Sequence, residues 1–326
     1  MTGRIVFVYS TRDVSWLQLA RNLRTQSTFW NALQRCDDEI QKHLGWSIEK
    51  DLMAPDGLPI LEEHFEPGLT AIQIGLTELW KSHGVLPAAS VGVCAGEFVA
   101  AYAAGALNLE SAIELSCRVS LCFRKKMGSG RMILAEGDAA KLEALRAGEG
   151  PTYHISGSLN GKTLLSCQEE DFFSVLAFLK QSGVNYWQVQ SKFAMHSPAA
   201  DSWREQFLQP LQNSAMESTI PYYSSVTDGP VRSSLLNIDH WWTVVRTPLV
   251  NGENVFRRIL QNGYTVFLEI NSKLKYVKGI QRIAAQHDAR ITTLPVSISL
   301  ESPMQFIEET LRELDSRALD ESGRPA

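Results

Sequence analysis

The sequence has little of what marks secreted, membrane or nucleic-acid-binding proteins. Its five cysteines are an odd number and include no Cys-x-x-Cys pair, which argues against a disulfide framework and a structural zinc site. No apolar run reaches the roughly 18 residues of a membrane span, and the apolar part of the N-terminal MTGRIVFVYS is too short for a signal peptide. The formal net charge of -5 leaves no basic excess for nucleic acid. We therefore expect a cytoplasmic protein with reduced thiols, which neither crosses a membrane nor binds nucleic acid.

Signatures of bound cofactors are also missing. The seven histidines show no ligand spacing with carboxylates or thiols, and the chain has no glycine-rich phosphate loop. We therefore expect neither a metal site nor a bound cofactor. The composition, 44% hydrophobic and 21% charged over 326 residues, is that of a globular protein with a substantial core.

Strand and helix patterns alternate along the chain, which predicts an α/β fold. Residues 4–10, RIVFVYS, form a continuous apolar run of strand length, and helical spacing follows in 16–44 and 68–84. The next strand leads into a small-residue helix that ends near Gly105, and a further helix is predicted for 108–126.

The segment 131–192 has a different order of elements. Its patterns predict strand, helix, strand, strand, helix and strand, with Asn160 and Gly161 as the turn of the central hairpin. This order is typical of a ferredoxin-like module. We therefore predict a discontinuous core at residues 1–130 and 193–317, with a ferredoxin-like subdomain inserted at 131–192. Residues 318–326 are predicted to form a disordered tail.

The pentapeptide Gly-Val-Cys-Ala-Gly at 92–96 lies between the second strand and its helix. In a Gly-x-nucleophile-x-Gly elbow the strand turns so sharply into the helix that the central residue, here Cys94, takes a strained conformation, and the glycines relieve the crowding. The side chain then projects at the helix N-terminus, where free N–H groups favour a thiolate and can stabilise an oxyanion. The pentapeptide alone fits equally well a small buried cysteine at a strand–helix junction.

A histidine far along the chain favours the first interpretation. His196 follows in SKFAMHSPAADSW, although a lone histidine is more often structural than catalytic. It occurs, however, together with AIQIGLTELWKSHGVLPAASVGVCAGEFVAAYAAGALNLESAIELSCR, IPYYSSVTDG, HWWTVVRTPLVNGENV and GYTVFLEI. In the order and spacing of these blocks, from about Val6 to Ile283, the chain resembles malonyl-CoA:acyl-carrier-protein transacylases and the acyltransferase domains of polyketide synthases.

This resemblance implies a fold and a set of site residues. The family combines an α/β-hydrolase-like core, built on a parallel sheet, with a ferredoxin-like subdomain. Its nucleophilic serine corresponds to Cys94, its catalytic histidine to His196, and the arginine that holds a malonyl-type carboxylate to Arg118. The resemblance places the oxyanion hole at the backbone N–H groups of Ala95 and Arg12.

The chain also departs from the family pattern near the expected site. The family's first loop, Phe-Pro-Gly-Gln-Gly-Ser-Gln, is replaced by YSTRDVS at 9–15, and the histidine before the nucleophile is replaced by Val93. Val244 takes the place of a polar residue near the partner carbonyl of the catalytic histidine. These changes leave the conformation of the first loop open.

The selectivity motif of the family is altered as well. Its four residues are Phe-Ala-Met-His at 193–196, and with Phe193 and Met195 they match neither the malonyl nor the methylmalonyl pattern. We therefore expect an acyl group other than ordinary malonyl or methylmalonyl, while the retained Arg118 leaves room for another carboxylated chain.

The resemblance implies a transacylase of polyketide or fatty-acid-type biosynthesis, including antibiotic biosynthesis, and these residues then predict an acyl-Cys94 intermediate with His196 as the base. The substrates expected are an acyl-CoA or acyl-carrier donor and an acyl carrier protein, and the sequence leaves the donor, the acceptor and the acyl group open. Two alternatives are a hydrolase that clears acyl groups from carrier proteins and a degenerate scaffold subunit. The retained Arg118 argues against the hydrolase, and the pair of Cys94 and His196 argues against the scaffold.

Carrier proteins are acidic, so a basic surface is expected near the mouth of the site. Two groups of basic residues are candidates, with a solvated face as the alternative for each; they are Arg124, Lys125, Lys126 and Arg131, and Lys273, Lys275 and Lys278. The chain begins at once with a strand and carries no ketosynthase-like extension, so we expect a free-standing enzyme that acts in trans, with a domain excised from a larger synthase as the alternative. We also expect a monomer.

Overall fold

Two sheets organise the chain, and the computed structural model describes residues 4–10, 16–54, 61–126, 128–146, 150–159, 161–209, 215–227, 229–249, 252–271, 276–294 and 302–322. The strands of the first sheet are β1 Ile5–Tyr9, β2 Ala89–Gly92, β7 Tyr222–Ser224, β8 Val266–Glu269 and β9 Thr292–Thr293. They run parallel in the order β7-β2-β1-β8-β9. The central strand β1 is buried at every position, as a strand covered on both faces must be.

The second sheet is antiparallel. Its strands are β3 Gly130–Glu136, β4 His154–Leu159, β5 Lys162–Gln168 and β6 Tyr186–Val189, in the order β4-β5-β3-β6. Helix α7, Ala139–Arg146, follows β3, and helix α8, Phe172–Gln181, follows β5. The predicted α/β class is confirmed, with a parallel sheet and a sheet of ferredoxin-like strand order, whereas the domain boundaries stay a prediction.

The other helices surround the parallel sheet. They are α1 Trp16–Asn22, α2 Ser27–Leu44, α3 Ile48–Met53, α4 Phe65–Ser82, α5 Gly96–Ala103, α6 Leu109–Lys126, α9 Arg204–Phe207, α10 Ile238–Arg246, α11 Gly252–Gln261, α12 Val277–Gln286 and α13 Pro303–Ser322. None of the described helices is both long and apolar enough to cross a membrane.

The helical pattern predicted for 16–44 is divided into two helices. A turn separates α1 from α2, and Gln26 has the extended conformation of a residue that precedes a helix, with φ -85° and ψ 103°. No glycine or proline lies in this turn, so neither of the usual sequence signals for a helix end is present.

The two faces of β1 pack against different groups of helices. Phe7 and Tyr9 lie in the main core, which also contains buried side chains of α2, α4, α5 and α6. Val6 and Val8 lie in a second cluster on the other face, together with residues of α11 and α12 such as Phe256. Successive side chains of a strand point to opposite faces, so the apolar run of β1 fills both layers.

The last helix extends into the tail that the sequence predicts to be disordered. Helix α13 runs to Ser322, and residues 323–326 lie outside the described part of the chain. Ile307 is buried in the main core, and Leu311 and Leu314 pack against it. The helix continues beyond these contacts through residues 315–322, DSRALDES.

The small sheet contacts the loop that carries His196. A Cβ on Gly130 would lie 2.7 Å from the Cβ of Ala194. The hydroxyl of Ser156 in β4 donates to the carbonyl of Met195 at 2.9 Å, and the N–H of Leu249 donates to the carbonyl of Ser156 at 2.8 Å. The second sheet therefore supports the histidine loop from one side.

Candidate active site

The segment from β2 to α5 forms the elbow predicted around Cys94. Cys94 has a φ of 56°, in the left-handed region that non-glycine residues rarely adopt. A Cβ on Gly92 would lie 2.3 Å from the Cα of Glu97, and one on Gly96 would lie 2.3 Å from the carbonyl oxygen of Tyr9. Both glycines are required because main chain fills the space that a side chain would need.

Gly96→Ala tests this crowding. Replacing a glycine inside a helix with alanine ordinarily stabilises the protein. Here we expect the opposite: the free energy of unfolding should fall by about 2–3 kcal/mol, because the new methyl group meets the main chain of β1. Thermal and urea unfolding measure the change. Gly150→Ala is the control, since a Cβ there would meet nothing closer than 3.4 Å, and an equal loss in both variants would contradict the crowding argument.

The nucleophile candidate and the base candidate are in contact. The Sγ of Cys94 lies 3.1 Å from Nε2 of His196, and Nδ1 of His196 lies 3.0 Å from the carbonyl oxygen of Thr247. A carbonyl oxygen can only accept, so Nδ1 carries a proton, and Nε2 is the ring nitrogen that faces the thiol. The arrangement is a cysteine, a base and a group that orients the base, which is the pattern of nucleophilic catalysis.

The loop of His196 is held by the chain on both sides of it. His196 has a φ of 53°, and the hydroxyl of Ser197 donates to the carbonyl of Ala194 at 2.8 Å. Asp201 in the following 3-10 turn accepts two hydrogen bonds from Arg246, at 2.6 and 3.1 Å. Because Arg246 ends α10 and Thr247 follows it directly, this ion pair joins the loop to the carbonyl that orients the histidine.

Glu97, which sequence reasoning missed, fixes the elbow to β7. Its carboxyl accepts hydrogen bonds from Tyr222 Oη at 2.5 Å, from Ser225 Oγ at 2.5 Å and from the N–H of Ser225 at 2.8 Å. Complete burial raises the pKa of Glu97 to about 7, against the effect of these hydrogen bonds. An acidic residue three positions after the nucleophile, in an otherwise apolar helix, was the available signal.

Glu97→Gln should change how stability depends on pH. The folded-state pKa of Glu97 is about 7 instead of 4.5, so between these values the folded protein keeps a proton that the unfolded chain releases. Stability therefore falls as the pH rises from 4.5 to 7, by on the order of 3 kcal/mol at most. In Glu97→Gln this fall should disappear in urea unfolding measured across the range. The exposed Glu170→Gln is the control, and an unchanged pH profile in Glu97→Gln would contradict the assignment.

A second missed residue, Gln73, fixes the start of the first loop. Its Nε2 donates to the carbonyl of Ser10, directly after β1, at 2.7 Å and to the carbonyl of Ile270, directly after β8, at 3.1 Å. Asn271 Nδ2 donates to the hydroxyl of Ser10 at 2.5 Å. A buried glutamine between apolar neighbours in α4 was its sequence signal. Arg12, predicted to supply an oxyanion N–H, lies outside the described residues.

The remaining residues predicted around the nucleophile are buried. Ala95 lies between Cys94 and the first residue of α5. Val93, Phe193, Met195 and Val244 are each less than 5% exposed. Phe193, Met195 and Val244 lie in the main core together with Cys94, whereas Val93 lies in the cluster on the other face of the sheet. Val244 is on α10, the helix that leads to the Thr247 carbonyl.

Arg118 is bound within the chain. Its Nη2 lies 2.5 Å from Oε1 of Glu114, one helical turn earlier in α6, and its Nη1 donates to the carbonyls of Phe207, at 2.9 Å, and Gln209. The sequence predicted that Arg118 binds a substrate carboxylate, and it did not predict these partners within the chain. The Glu-x-x-x-Arg spacing of Glu114 and Arg118 was the signal for the pair.

Two of the predicted basic residues also have acidic partners. Arg124 Nε lies 3.0 Å from Oε1 of Glu63. Arg131 forms a bidentate ion pair with Glu169, in which Nε donates to Oε2 at 2.7 Å and Nη2 donates to Oε1 at 2.9 Å. Lys278 is exposed, whereas Lys273, Lys275 and the side chain of Lys126 lie outside the described part of the chain. Among the described residues, no three histidine, cysteine, aspartate or glutamate side chains are grouped so that they could hold a metal ion.

Comparison with known proteins relates the chain to parts of long polyketide synthases. It is 26% identical over 336 aligned positions to erythronolide synthase EryA2 of Saccharopolyspora erythraea, with 98% of this chain and 9% of that protein covered. It is 31% identical over 276 positions to the spectinabilin polyketide synthase system protein NorA' of Streptomyces orinoci, with 82% and 8% covered. The chain thus spans less than a tenth of the length of these relatives.

Solved structures share the fold. A loading acyltransferase from the avermectin modular polyketide synthase matches with a TM-score of 0.81 and 22% identity, over 95% of this chain and 99% of that chain. The malonyl CoA-acyl carrier protein transacylase from Clostridium perfringens matches with a TM-score of 0.77 and 15% identity, over 98% and 100%. The profile of the acyl transferase domain matches residues 6–306. The acyltransferase family expected from the sequence blocks is therefore confirmed, and the chain belongs to the acyl transferase domain family.

Proposed function

We propose that this chain transfers an acyl group from a CoA or carrier-protein thioester, through an acyl-Cys94 intermediate, to the thiol of an acyl carrier protein in polyketide-type biosynthesis. The acyl group is neither ordinary malonyl nor methylmalonyl. Acyltransferase domains of this family use acyl-CoA or carrier-protein-bound substrates without a cofactor. The observation that carries the proposal is the 3.1 Å contact between Cys94 Sγ and His196 Nε2.

In the proposed reaction, Cys94 and His196 carry out both halves of the acyl transfer. His196 Nε2 accepts the proton of the Cys94 thiol, and the thiolate attacks the carbonyl carbon of the donor thioester. A new carbon–sulfur bond forms, the bond to the donor sulfur breaks, and the departing thiolate takes the proton back from His196. In the second half, His196 Nε2 accepts the proton of the acceptor thiol, and the acceptor sulfur attacks the carbonyl carbon of acyl-Cys94. The bond to the Cys94 sulfur breaks, and the Cys94 thiolate takes the proton back from His196, which restores both side chains.

Backbone donors stabilise the tetrahedral intermediates in this proposal. They are the N–H of Ala95 at the start of α5 and the N–H of Arg12. A backbone N–H does not depend on the side chain, so the loss of the family's first-loop side chains does not by itself remove either donor. The elbow supplies the first donor because it aims Cys94 Sγ and the N-terminal end of α5 at the same point.

Sulfur in place of oxygen affects the energy of the intermediate. An acyl-cysteine is a thioester, as are the donor and the product, so each exchange is close to isoenergetic. Such an intermediate keeps its reactivity toward a carrier-protein thiol and also toward an amine. Neither acyl transfer step therefore has a strongly favoured direction, and the relative amounts of donor and acceptor set the net transfer.

A donor screen tests the proposal. The protein is incubated with a panel of acyl-CoA and acyl-carrier donors, and intact-protein mass spectrometry records a mass increase equal to the acyl group. We expect an adduct that maps to Cys94, is absent from Cys94→Ala and is lost when a carrier protein with a free phosphopantetheine thiol is added. Failure of every donor to give an adduct would overturn the proposal.

A hydrolase that removes acyl groups from carrier proteins is the second candidate. The observation in its favour is the pairing of Arg118 with Glu114, since an arginine available to a carboxylate would point to malonyl transfer. Product analysis separates the two functions. A hydrolase releases free acid even when carrier protein is in excess, whereas a transferase gives acyl-carrier protein.

A further inference from the structure

Strand β4 has a bulge at Ser156. The pairing of β4 with β5 shifts between Ile155 and Gly157, which lie opposite two residues that are neighbours in the sequence, Leu165 and Leu164. Ser156 is therefore the extra residue of a β-bulge. A bulge turns the side chain and the peptide groups of this residue away from the regular sheet, and bulges are common beside active sites. Ser156 is fully buried, so its polar groups need partners inside the protein.

The hydroxyl of Ser156 fixes the peptide group that precedes His196. It donates to the carbonyl of Met195 at 2.9 Å and lies 2.8 Å from the hydroxyl of Ser166 in β5. A hydroxyl has one proton and a carbonyl can only accept, so Ser166 supplies the proton of the second bond. The φ angle of His196 describes the rotation of this peptide group about the N–Cα bond, so the hydrogen bond from Ser156 stabilises its left-handed value of 53°.

Two other carbonyls of the histidine loop are bound by serines of the loop itself. The carbonyl of Phe193 accepts from the hydroxyl of Ser191. The carbonyl of Ala194 accepts from the hydroxyl of Ser197. These bonds hold the internal shape of the loop. The bond from Ser156 comes from another element, and it therefore sets where the loop lies relative to the small sheet.

The same bulge holds the segment that orients the imidazole. The N–H of Leu249 donates to the carbonyl of Ser156 at 2.8 Å. Only Pro248 separates Leu249 from Thr247, whose carbonyl oxygen lies 3.0 Å from Nδ1 of the histidine. Proline fixes its own φ and restricts the residue before it, so a fixed Leu249 leaves the Thr247 carbonyl little freedom. Ser156 therefore binds main chain on both sides of the hydrogen bond that orients the imidazole.

We propose that Ser156 is a positioning residue for His196: the bulge sets where the imidazole lies and which way it faces, and so keeps Nε2 against the sulfur of Cys94. The thiol is held by the elbow of the parallel sheet, whereas the base and its orienting carbonyl are both attached to β4. Ser156 acts through His196 and not on the substrate. This inference rests on the proposed function, since it concerns the base of the same reaction.

Ser156→Ala, made in two backgrounds, tests this role. In the otherwise wild-type chain, we expect Cys94 acylation by the donor that labels it fastest in the screen to slow by roughly 10- to 100-fold, since misplacing a reacting group by about 1 Å costs up to about 10²-fold. The donor concentration that gives half the maximal rate should stay within about twofold. In His196→Ala, the same substitution should have no further effect, because the group that it positions is gone. Equal losses in both backgrounds would show a merely structural role and overturn the inference.

Alkylation of Cys94 by iodoacetamide, followed by peptide mass spectrometry, gives a comparison that needs no acyl donor. The thiolate is the reactive form, so alkylation should be slower in Ser156→Ala than in wild type at pH 7. The difference should shrink as rising pH ionises the thiol without the base. Identical pH profiles would overturn the inference. Failure of every donor in the screen would overturn the proposed function, and alkylation would still decide whether Ser156 positions the histidine.

Ser158→Ala is the matched control. Ser158 lies on the same strand, and its hydroxyl is 3.5 Å from the carbonyl of Lys162 in β5, so acylation and alkylation should keep their wild-type rates. Ser166→Ala keeps the Ser156 hydroxyl and removes the group that orients it, so both rates should fall by less than in Ser156→Ala. If Ser156→Ala does not fold, the two backgrounds are compared with Ser166→Ala instead, and an equal effect in both would overturn the inference.

Discussion

Cys94→Ala is expected to abolish the acyl adduct and to lower the rate of transfer by on the order of 10³-fold or more, because the variant retains every contact around the substrate except the attacking atom. Intact-protein mass spectrometry and transfer of a labelled acyl group to a carrier protein measure the two effects. Folding should be preserved, since alanine is smaller than cysteine and the strain of a positive φ is the same for both residues. A variant that keeps more than about a tenth of the activity would show that Cys94 is not the nucleophile.

Cys94→Ser is the matched control for this prediction. It keeps a nucleophilic atom at the elbow, and in the family that the chain resembles a serine takes this place. We expect an adduct of the same mass but different chemistry, because hydroxylamine at neutral pH cleaves a thioester and leaves an oxygen ester largely intact. An adduct of wild-type protein that resisted hydroxylamine would contradict an acyl-cysteine.

His196→Ala should lower the transfer rate by roughly 10²–10⁴-fold, the usual contribution of a positioned general base. The thiol remains in the variant, so a slow adduct should still form, and its rate should increase with pH as hydroxide replaces the missing base. The time course of adduct formation between pH 6 and 9 measures this. The loss should appear mainly in the rate constant of acylation, because His196 contacts the reacting sulfur.

A histidine outside the site provides the control. His83, exposed after the end of α4, should tolerate replacement by alanine without loss of transfer. Thermal unfolding of His196→Ala must stay close to that of wild type for the comparison to be valid. Full activity in a folded His196→Ala would exclude His196 as the base, whereas the expected loss of transfer would exclude the scaffold interpretation that the sequence left open.

The candidate nucleophile could be predicted from the sequence because it lies in a local pattern. Gly92 and Gly96 flank Cys94 at fixed distances, and the spacing is imposed by the main chain of β1 and α5. His196 has no such flanking signal, and only its place among the other blocks identified it. The alternation of strand and helix patterns likewise predicted both sheets. The central strands were recognisable because a strand buried on both faces is almost continuously apolar.

What the sequence did not predict depends on contacts between distant segments. Arg118 was assigned from its alignment with the family, and its pairing is decided by Glu114 together with the main chain near Phe207. Gln73 and Ser10 meet only because α4 crosses the end of β1. The division between α1 and α2 has no glycine or proline to mark it, and α13, which packs on the core through Ile307, Leu311 and Leu314, continues into the tail that was expected to be disordered.

The two residues of the reacting pair share an unusual property of the main chain. Cys94 and His196 both have positive φ values, 56° and 53°, and each such conformation costs roughly 1–2 kcal/mol for a residue with a side chain. Neither segment would adopt this shape as an isolated peptide, so the surrounding sheets and loops must impose it. The thiol and the imidazole therefore come together as a consequence of global folding: in a partly unfolded chain the two groups are apart, and only the complete native state brings them into contact.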